Sequence, residues 1–165
     1  MQAYCVFCRT GAEKTAVRLI KKINRETQVI FPVRILQEKR GGSWEPRSQP
    51  LLPGYLFVYA EEEIPIEEIN APSDVYKVLG YEAEGKELIG PDYEYAMWIY
   101  RHKGQIGASE VMLEGSSVRV VSGPLLDGVG TIKKINRHKR RALVEFEFYG
   151  KIQRVSLSVL DISSC

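Results

Sequence analysis

A chain of 165 residues, 44% apolar and 27% charged, has room for one ordinary domain or two small ones and excludes a fibrous or wholly disordered polymer. No apolar run nears the roughly 18 residues of a membrane span, and the opening MQAYCVFCRTG lacks the basic start, apolar stretch and cleavage site of a secretion signal, so the expected location is the cytoplasm. The net charge of +2 hides segregation, with ten bases and four acids in residues 1–60, two and eleven in 61–95, two and one in 96–113, and nine and five in 114–165, so polyanions are repelled by one stretch and drawn to another.

The first element, YCVFCR, reads as a short buried strand. It carries Cys5 and Cys8, which with Cys165 make three cysteines, an odd number that argues against a disulfide framework. Cys5-Val-Phe-Cys8 matches C-x-x-C, but residues three apart on a strand face opposite sides, and no second Cys or His pair completes a zinc site. Buried thiols are expected, with no metal and no cofactor. In TGAEKTAVRLIKKIN, Thr10 and Glu13 have capping-box spacing, and Ala16, Leu19, Ile20 and Ile23 form one helical stripe. TQVIFPVRILQEK is rich in β-branched residues, with Pro32 suited to an edge or bulge. RGGSWEPRSQP reads as a loop. GYLFVYA is the clearest strand, fixed at its start by Pro53-Gly54; a short helix over Pro65 to Asn70 and a strand VYKVL follow.

PDYEYAMWIYRHKG predicts a helix with Pro91 at its start and Gly104 as its cap. It bears two apolar stripes: Tyr95, Trp98, Ile99 and His102, and beside it Tyr93, Met97 and Tyr100. One serves the core; the second is either buried too or open to a partner. KGQIGASEVMLEG has no clear period and reads as a linker. Beyond it, SVRVV, GTIKKI, ALVEFEF and IQRVSLSVLDI are short strands in which Val144, Phe146 and Phe148 alternate with Glu145 and Glu147, and Val155, Leu157 and Val159 with Ser156 and Ser158. Such a set of strands closes into a small barrel.

Two stretches stand out together. PLLPGYLFVYAE resembles the N-terminal domain signature of the NusG family of transcription elongation factors, and VRVVSGPLLDGVGTI resembles that family's KOW motif, in the same order and spacing. The resemblance runs from about Tyr4 to Ile162. It implies an α+β N-terminal (NGN) domain over residues 1–105, with a mixed or antiparallel sheet flanked by helices. A linker over 106–114 and an SH3-like all-β KOW barrel over 115–165 would follow. Gly123, Gly128 and Gly130 bracket a turn where positive φ or close backbone approach is needed. In the strand after Pro-Gly, alternation sends Tyr55, Phe57 and Tyr59 to one face, which is either packed under a helix or offered to a partner. The resemblance implies the latter: NGN domains grip the clamp helices of the RNA polymerase largest subunit. Residue by residue, that role passes to Phe7, Leu52, Tyr55 and Phe57, supported by Trp98 or Ile99. Specialised members present a His and Thr cluster to the polymerase gate loop, but here the corresponding stretch is IPIEEINAPSD, which leaves only Glu67 and Glu68 to meet a basic patch.

The run KKINRHKRRA places six Lys or Arg side chains and one His in residues 133 to 142 without an acid. A solubilising turn normally mixes signs, because clustered like charges repel. Lys133, Lys134, Arg137, His138, Lys139, Arg140 and Arg141 therefore form a candidate phosphate-binding surface at one end of the barrel. The run has no aromatic side chain for stacking beyond His138, so a folded RNA suits it better than a single-strand platform. The basic turn together with YLFVYA resembles the specialised LoaP branch of the family, which implies processive antitermination through a hairpin in the nascent leader. A general NusG-type factor whose barrel docks a ribosomal protein or Rho is the alternative. No convergent set of nucleophile, base or metal ligands is visible, so the chain is expected not to be an enzyme. It is read as a monomer without a membrane partner.

Overall fold

The computed structural model describes residues 1–163; Cys165 lies outside the described residues. The chain forms two compact units, one of Met1–Pro32 with Leu52–Gly104 and one of Val33–Leu51 with the segment from Gln105 onward. Among the described residues no helix is long and apolar enough to cross a membrane, and no cluster of three or more His, Cys, Asp or Glu side chains is suited to a metal ion.

The first unit is built on a four-stranded antiparallel sheet. Strand β1 (Gln2–Cys8) and helix α1 (Glu13–Ile23) come first, followed by strand β2 (Gln28–Ile30). In this unit β5 (Tyr55–Ala60), α2 (Ile66–Asn70), β6 (Val75–Val78) and α3 (Gly90–Arg101) complete the set; the intervening strands β3 (Val33–Arg40) and β4 (Ser43–Pro50) belong to the second unit. The sheet order is β2-β5-β1-β6. Alternation divides the two faces as the sequence suggests. Tyr4, Val6 and Cys8 of β1 and Leu56 and Val58 of β5 pack with Ala16, Ile20 and Ile69 of the first two helices. On the other side Phe57 and Tyr59 meet α3, with the Phe57 and Tyr95 rings 6.2 Å apart and the Tyr59 hydroxyl donating to the Ala96 carbonyl at 2.7 Å. Cys5 and Cys8 are both buried and reduced. Burial pushes the Cys5 thiol well up and the Cys8 thiol to about 11, so both remain protonated and unreactive near neutrality.

The capping box does not form. Helix α1 starts at Glu13, and Thr10 makes no cap bond. Instead the Glu13 carboxylate, 5% exposed, accepts from the Gly11 amide at 2.7 Å and the Gly54 amide at 3.0 Å. One acid thereby satisfies an amide just ahead of the helix and ties that end to the Pro53-Gly54 turn. The stripe on α1 is also shorter than its spacing suggests, because Ile23 is 46% exposed at the last turn.

The second unit begins where Pro32 interrupts the β-branched run. β3 (Val33–Arg40) and β4 (Ser43–Pro50) pair through all eight of their positions. RGGSWEPRSQP is therefore largely a strand rather than a loop. Gly41 and Gly42 both have positive φ, 55° and 84°, which a tight two-residue hairpin turn demands. Pro46 and Pro50 are admissible because β4 is an edge strand in the order β4-β3-β7.

The stretch expected as a linker over 106–114 also differs. Gln105–Ile106 forms β7, parallel to β3, and Ser109–Glu114 forms β8, which is already part of the barrel. After it come β9 (Ser117–Ser122), a 3-10 turn (Pro124–Asp127), β10 (Thr131–Asn136), β11 (Arg141–Phe148) and β12 (Lys151–Asp161). The sheet order is β10-β11-β12-β8-β9. Val144, Phe146, Phe148, Leu157 and Val159 fill its core, as alternation requires. Ser158 is buried too, on the opposite side of β12. There β3 lies alongside, and the Arg34 Nη1 donates to the Ser156 carbonyl at 2.9 Å. Gly130 is required by space, since a Cβ there would stand 2.6 Å from both Val144 and Phe146.

Candidate functional site

Two surfaces carry the residues singled out from the sequence, one in each unit. In the first unit β1 and β5 run antiparallel with Phe7 directly across from Tyr55, and Phe7 is likewise across from Lys77 of β6. The Phe7 ring lies 5.2 Å from Tyr55 and 5.3 Å from Tyr76, both tilted. Phe7 and Tyr55 are half-buried and Tyr76 is 58% exposed, so the three make a continuous aromatic surface at one end of the sheet. Gly54 sets its floor. Its carbonyl accepts from the Cys8 amide at 2.8 Å, and a Cβ on Gly54 would press on the Cys8 carbonyl at 3.2 Å and the Phe7 ring at 3.4 Å. Arg9 and Asp74 close one rim through an ion pair of 3.0 Å.

The other residues assigned to this surface from the resemblance lie beneath it. Leu52 is 5% exposed, and Phe57, Trp98 and Ile99 are 0% exposed. Phe57 and Trp98 pack with Tyr95, and these side chains shape the sheet rather than touch a partner. Tyr76 completes this aromatic surface and was not singled out from the sequence; an aromatic beside Lys77 in a short strand was its only signal. The second stripe of α3 is partly open: Met97 and Tyr100 line a groove of about 810 Å³ with Val29, Ile30, Lys21, Arg101 and Lys103. Glu68 of α2 accepts from the Asn24 side chain at 2.8 Å, which leaves Glu67 as the exposed acid of that helix.

In the second unit the basic run forms the end of β10, a turn and the start of β11. The Asn136 side chain accepts from the Lys139 amide at 3.1 Å and the Arg137 carbonyl accepts from the Arg140 amide at 3.2 Å, with Arg140 at φ 54°. The seven basic residues do come together, but not all are uncompensated. Arg137 pairs with Asp161 at 2.8 Å, Arg141 with Glu38 at 3.6 Å and Lys133 with Glu145 at 4.0 Å. Asp161 is held below the usual carboxylate range by the hydroxyl and amide of Ser163, with Arg137 adding to the effect. Lys134, His138 and Lys139 are exposed and have no ion-pair partner among the described residues. The Arg140 guanidinium lies 4.2 Å from the centroid of the Trp44 ring.

Residues 1–91 match the family model described as transcription termination factor NusG, and residues 114–147 match that of the KOW motif. The chain belongs to the NusG family. It is 28% identical over 176 residues to the transcription termination/antitermination protein NusG of Thermus thermophilus, an alignment covering 96% of each chain. A solved structure described as "Domain interaction in Thermotoga maritima NusG" shares the fold with a TM-score of 0.58 at 17% identity, covering 95% of this chain and 93% of that one. The KOW match begins at the last residue of β8 and ends inside β11, so it takes in the turn that carries the basic run. NusG factors act in transcription rather than as known enzymes.

Proposed function

We propose that this NusG-family transcription factor works as a processive antiterminator with two grips, an aromatic surface for RNA polymerase and a basic barrel turn for a folded hairpin in the nascent RNA. The turn carries the reading. The Lys133–Glu145 contact is long, at 4.0 Å, and an ion pair at a solvated surface contributes little, so a phosphate can replace the carboxylate at Lys133, while Lys134 and Lys139 need no such exchange. Released counterions then favour binding. Phe7, Tyr55 and Tyr76 supply the apolar anchor suited to helices such as the polymerase clamp. Holding both partners on one chain raises the effective concentration of each for the other.

A second reading has an observation of its own. The barrel exposes Val118, Val121, Leu126 and Ile152, and a groove of about 600 Å³ runs past Val118, Val120, Leu125, Ile132 and Ile135. That surface suits a protein partner such as a ribosomal protein or Rho. A gel shift of the full chain with structured RNAs across a salt series separates the two. Hairpin discrimination that disappears when Arg137, Lys139, Arg140 and Arg141 become Ala supports RNA recognition; unchanged binding, or tight capture of a ribosomal protein or Rho with indifference to every hairpin, overturns it.

A further inference from the structure

Resting on that reading, we propose that Trp44 is the base-stacking element of the RNA site, so that the hairpin β3–β4 and the barrel turn together bind an unpaired loop base and its flanking phosphates. The basic run has no stacking aromatic of its own, yet the fold brings one to it. Trp44 stands across from Lys39 in the hairpin register. Arg140 reaches it from the barrel turn, its guanidinium 4.2 Å from the ring centroid. The backbone of Arg140 is fixed on both sides: its amide donates to the Arg137 carbonyl at 3.2 Å, and its carbonyl accepts from the Val159 amide at 3.1 Å. A left-handed φ of 54° at a residue other than glycine aims this side chain.

Beside the indole lies a cleft of about 350 Å³ lined by residues of both elements, among them Lys39, Arg40, Trp44, His138 and Lys139. Its one carboxylate, Glu38, is neutralised twice, by Arg47 at 3.1 Å and Arg141 at 3.6 Å. Glu45, across from Glu38 in register, does not line the cleft. Lys39, Arg40 and Lys139 are exposed and have no ion-pair partner among the described residues. An indole backed by a guanidinium and ringed by lysine and arginine offers a flat apolar face for a nucleobase and cations at phosphate distance from it. A purely paired duplex has no base to give to Trp44; a hairpin loop does.

The chain contains two tryptophans, and Trp98 is fully buried, so a stacking event is readable as quenching of Trp44 emission. Hairpins with a fixed stem and a randomised loop are selected on the full chain, and the winner is compared with the blunt duplex of the same stem. The expected result is quenching in the parent and in W98F but not in W44F. W44A should weaken the loop hairpin by roughly 5- to 150-fold while duplex binding stays within about twofold. Circular dichroism of W44F keeps a folding defect apart from lost stacking. Parental affinity in W44A, or quenching that persists in W44F, overturns the role of Trp44. If alanine at Arg137, Lys139, Arg140 and Arg141 abolishes binding in the same experiment, the basic-turn reading survives without it. If neither set of changes matters, or no hairpin is retained, both fall.

Discussion

Replacing Glu13 by Ala removes the carboxylate that accepts from the Gly11 and Gly54 amides at 2.7 and 3.0 Å. Hydrogen bonds to a charged group contribute about 1.5–3 kcal/mol, and a buried donor left without a partner costs about 1–3 kcal/mol. The Gly54 amide is buried and loses its acceptor outright, whereas the Gly11 amide is half-exposed and regains water. Counting about 2–3 kcal/mol for the first and about 1 kcal/mol for the second gives about 3–4 kcal/mol. In a unit of about 60–100 residues, each kcal/mol lowers the midpoint by about 4–8 °C, so E13A should melt at least about 12 °C below the parent. Thermal unfolding and urea titration followed by circular dichroism measure this. E13Q keeps one acceptor oxygen but turns an amide toward a donor, and should lose about half as much. Because Gly54 precedes Tyr55, E13A should also weaken polymerase binding. A loss under about 1 kcal/mol in E13A would show that the bridge is an ornament of the turn and not its anchor.

Y76A should weaken binding to clamp-helix peptides or to polymerase while leaving stability within about 0.5 kcal/mol, because a residue so exposed has little packing to lose; surface plasmon resonance and a melt measure the two. F57A, in contrast, should cost about 3–5 kcal/mol by emptying the core under α3, and urea unfolding checks it. G130A should destabilise the barrel by about 1–3 kcal/mol, since the added methyl overlaps Val144 and Phe146, readable as an earlier urea midpoint. With folded thiol values raised at Cys5 and Cys8, to about 11 at the latter, against about 8.5 in an unfolded chain, the folded state holds protons that the unfolded state releases. That contribution is complete below about 8.5 and is lost as pH rises toward the folded values. Urea midpoints should fall steadily from pH 8 to pH 10.5, and the C5A/C8A variant should show a flatter dependence.

Much of the architecture was legible because burial and periodicity agreed. Tyr55 to Ala60 declared itself through alternation after Pro-Gly, and Val144, Phe146 and Phe148 did the same in the barrel. Ser43–Pro50 was not legible: its two prolines and polar residues look like a loop unless the strand is known to lie on an edge, where a missing amide does no harm. Only Gly41-Gly42, flanked by Arg40 and Ser43, marked the hairpin. Ser109–Glu114 carried no period because Ser109 is buried for its hydroxyl, which accepts from the Leu125 amide at 2.9 Å and pins the turn after β9. For the aromatic surface proposed to meet polymerase, alternation grouped Tyr55, Phe57 and Tyr59 on one face but did not show that only the Tyr55 end stays open, since which part of an aromatic row a helix covers is a tertiary matter. The contact between Trp44 and Arg140, on which the proposed stacking site rests, was invisible for a related reason: the two lie 96 positions apart in the chain.

The parallel pairing of Val33 and Arg34 with Gln105 and Ile106 has a bearing on how the chain emerges from the ribosome. The hairpin of β3 and β4 closes early from local contacts, yet the neighbour that covers its inner edge is made some seventy positions later. Until then β3 offers a row of unsatisfied amides and carbonyls, the geometry that recruits stray strands. Lysine and arginine at 39 and 40, exposed beside the glycine turn, are the kind of charges that blunt such an edge, so side chains assigned above to a proposed RNA site also suit the needs of the newborn chain.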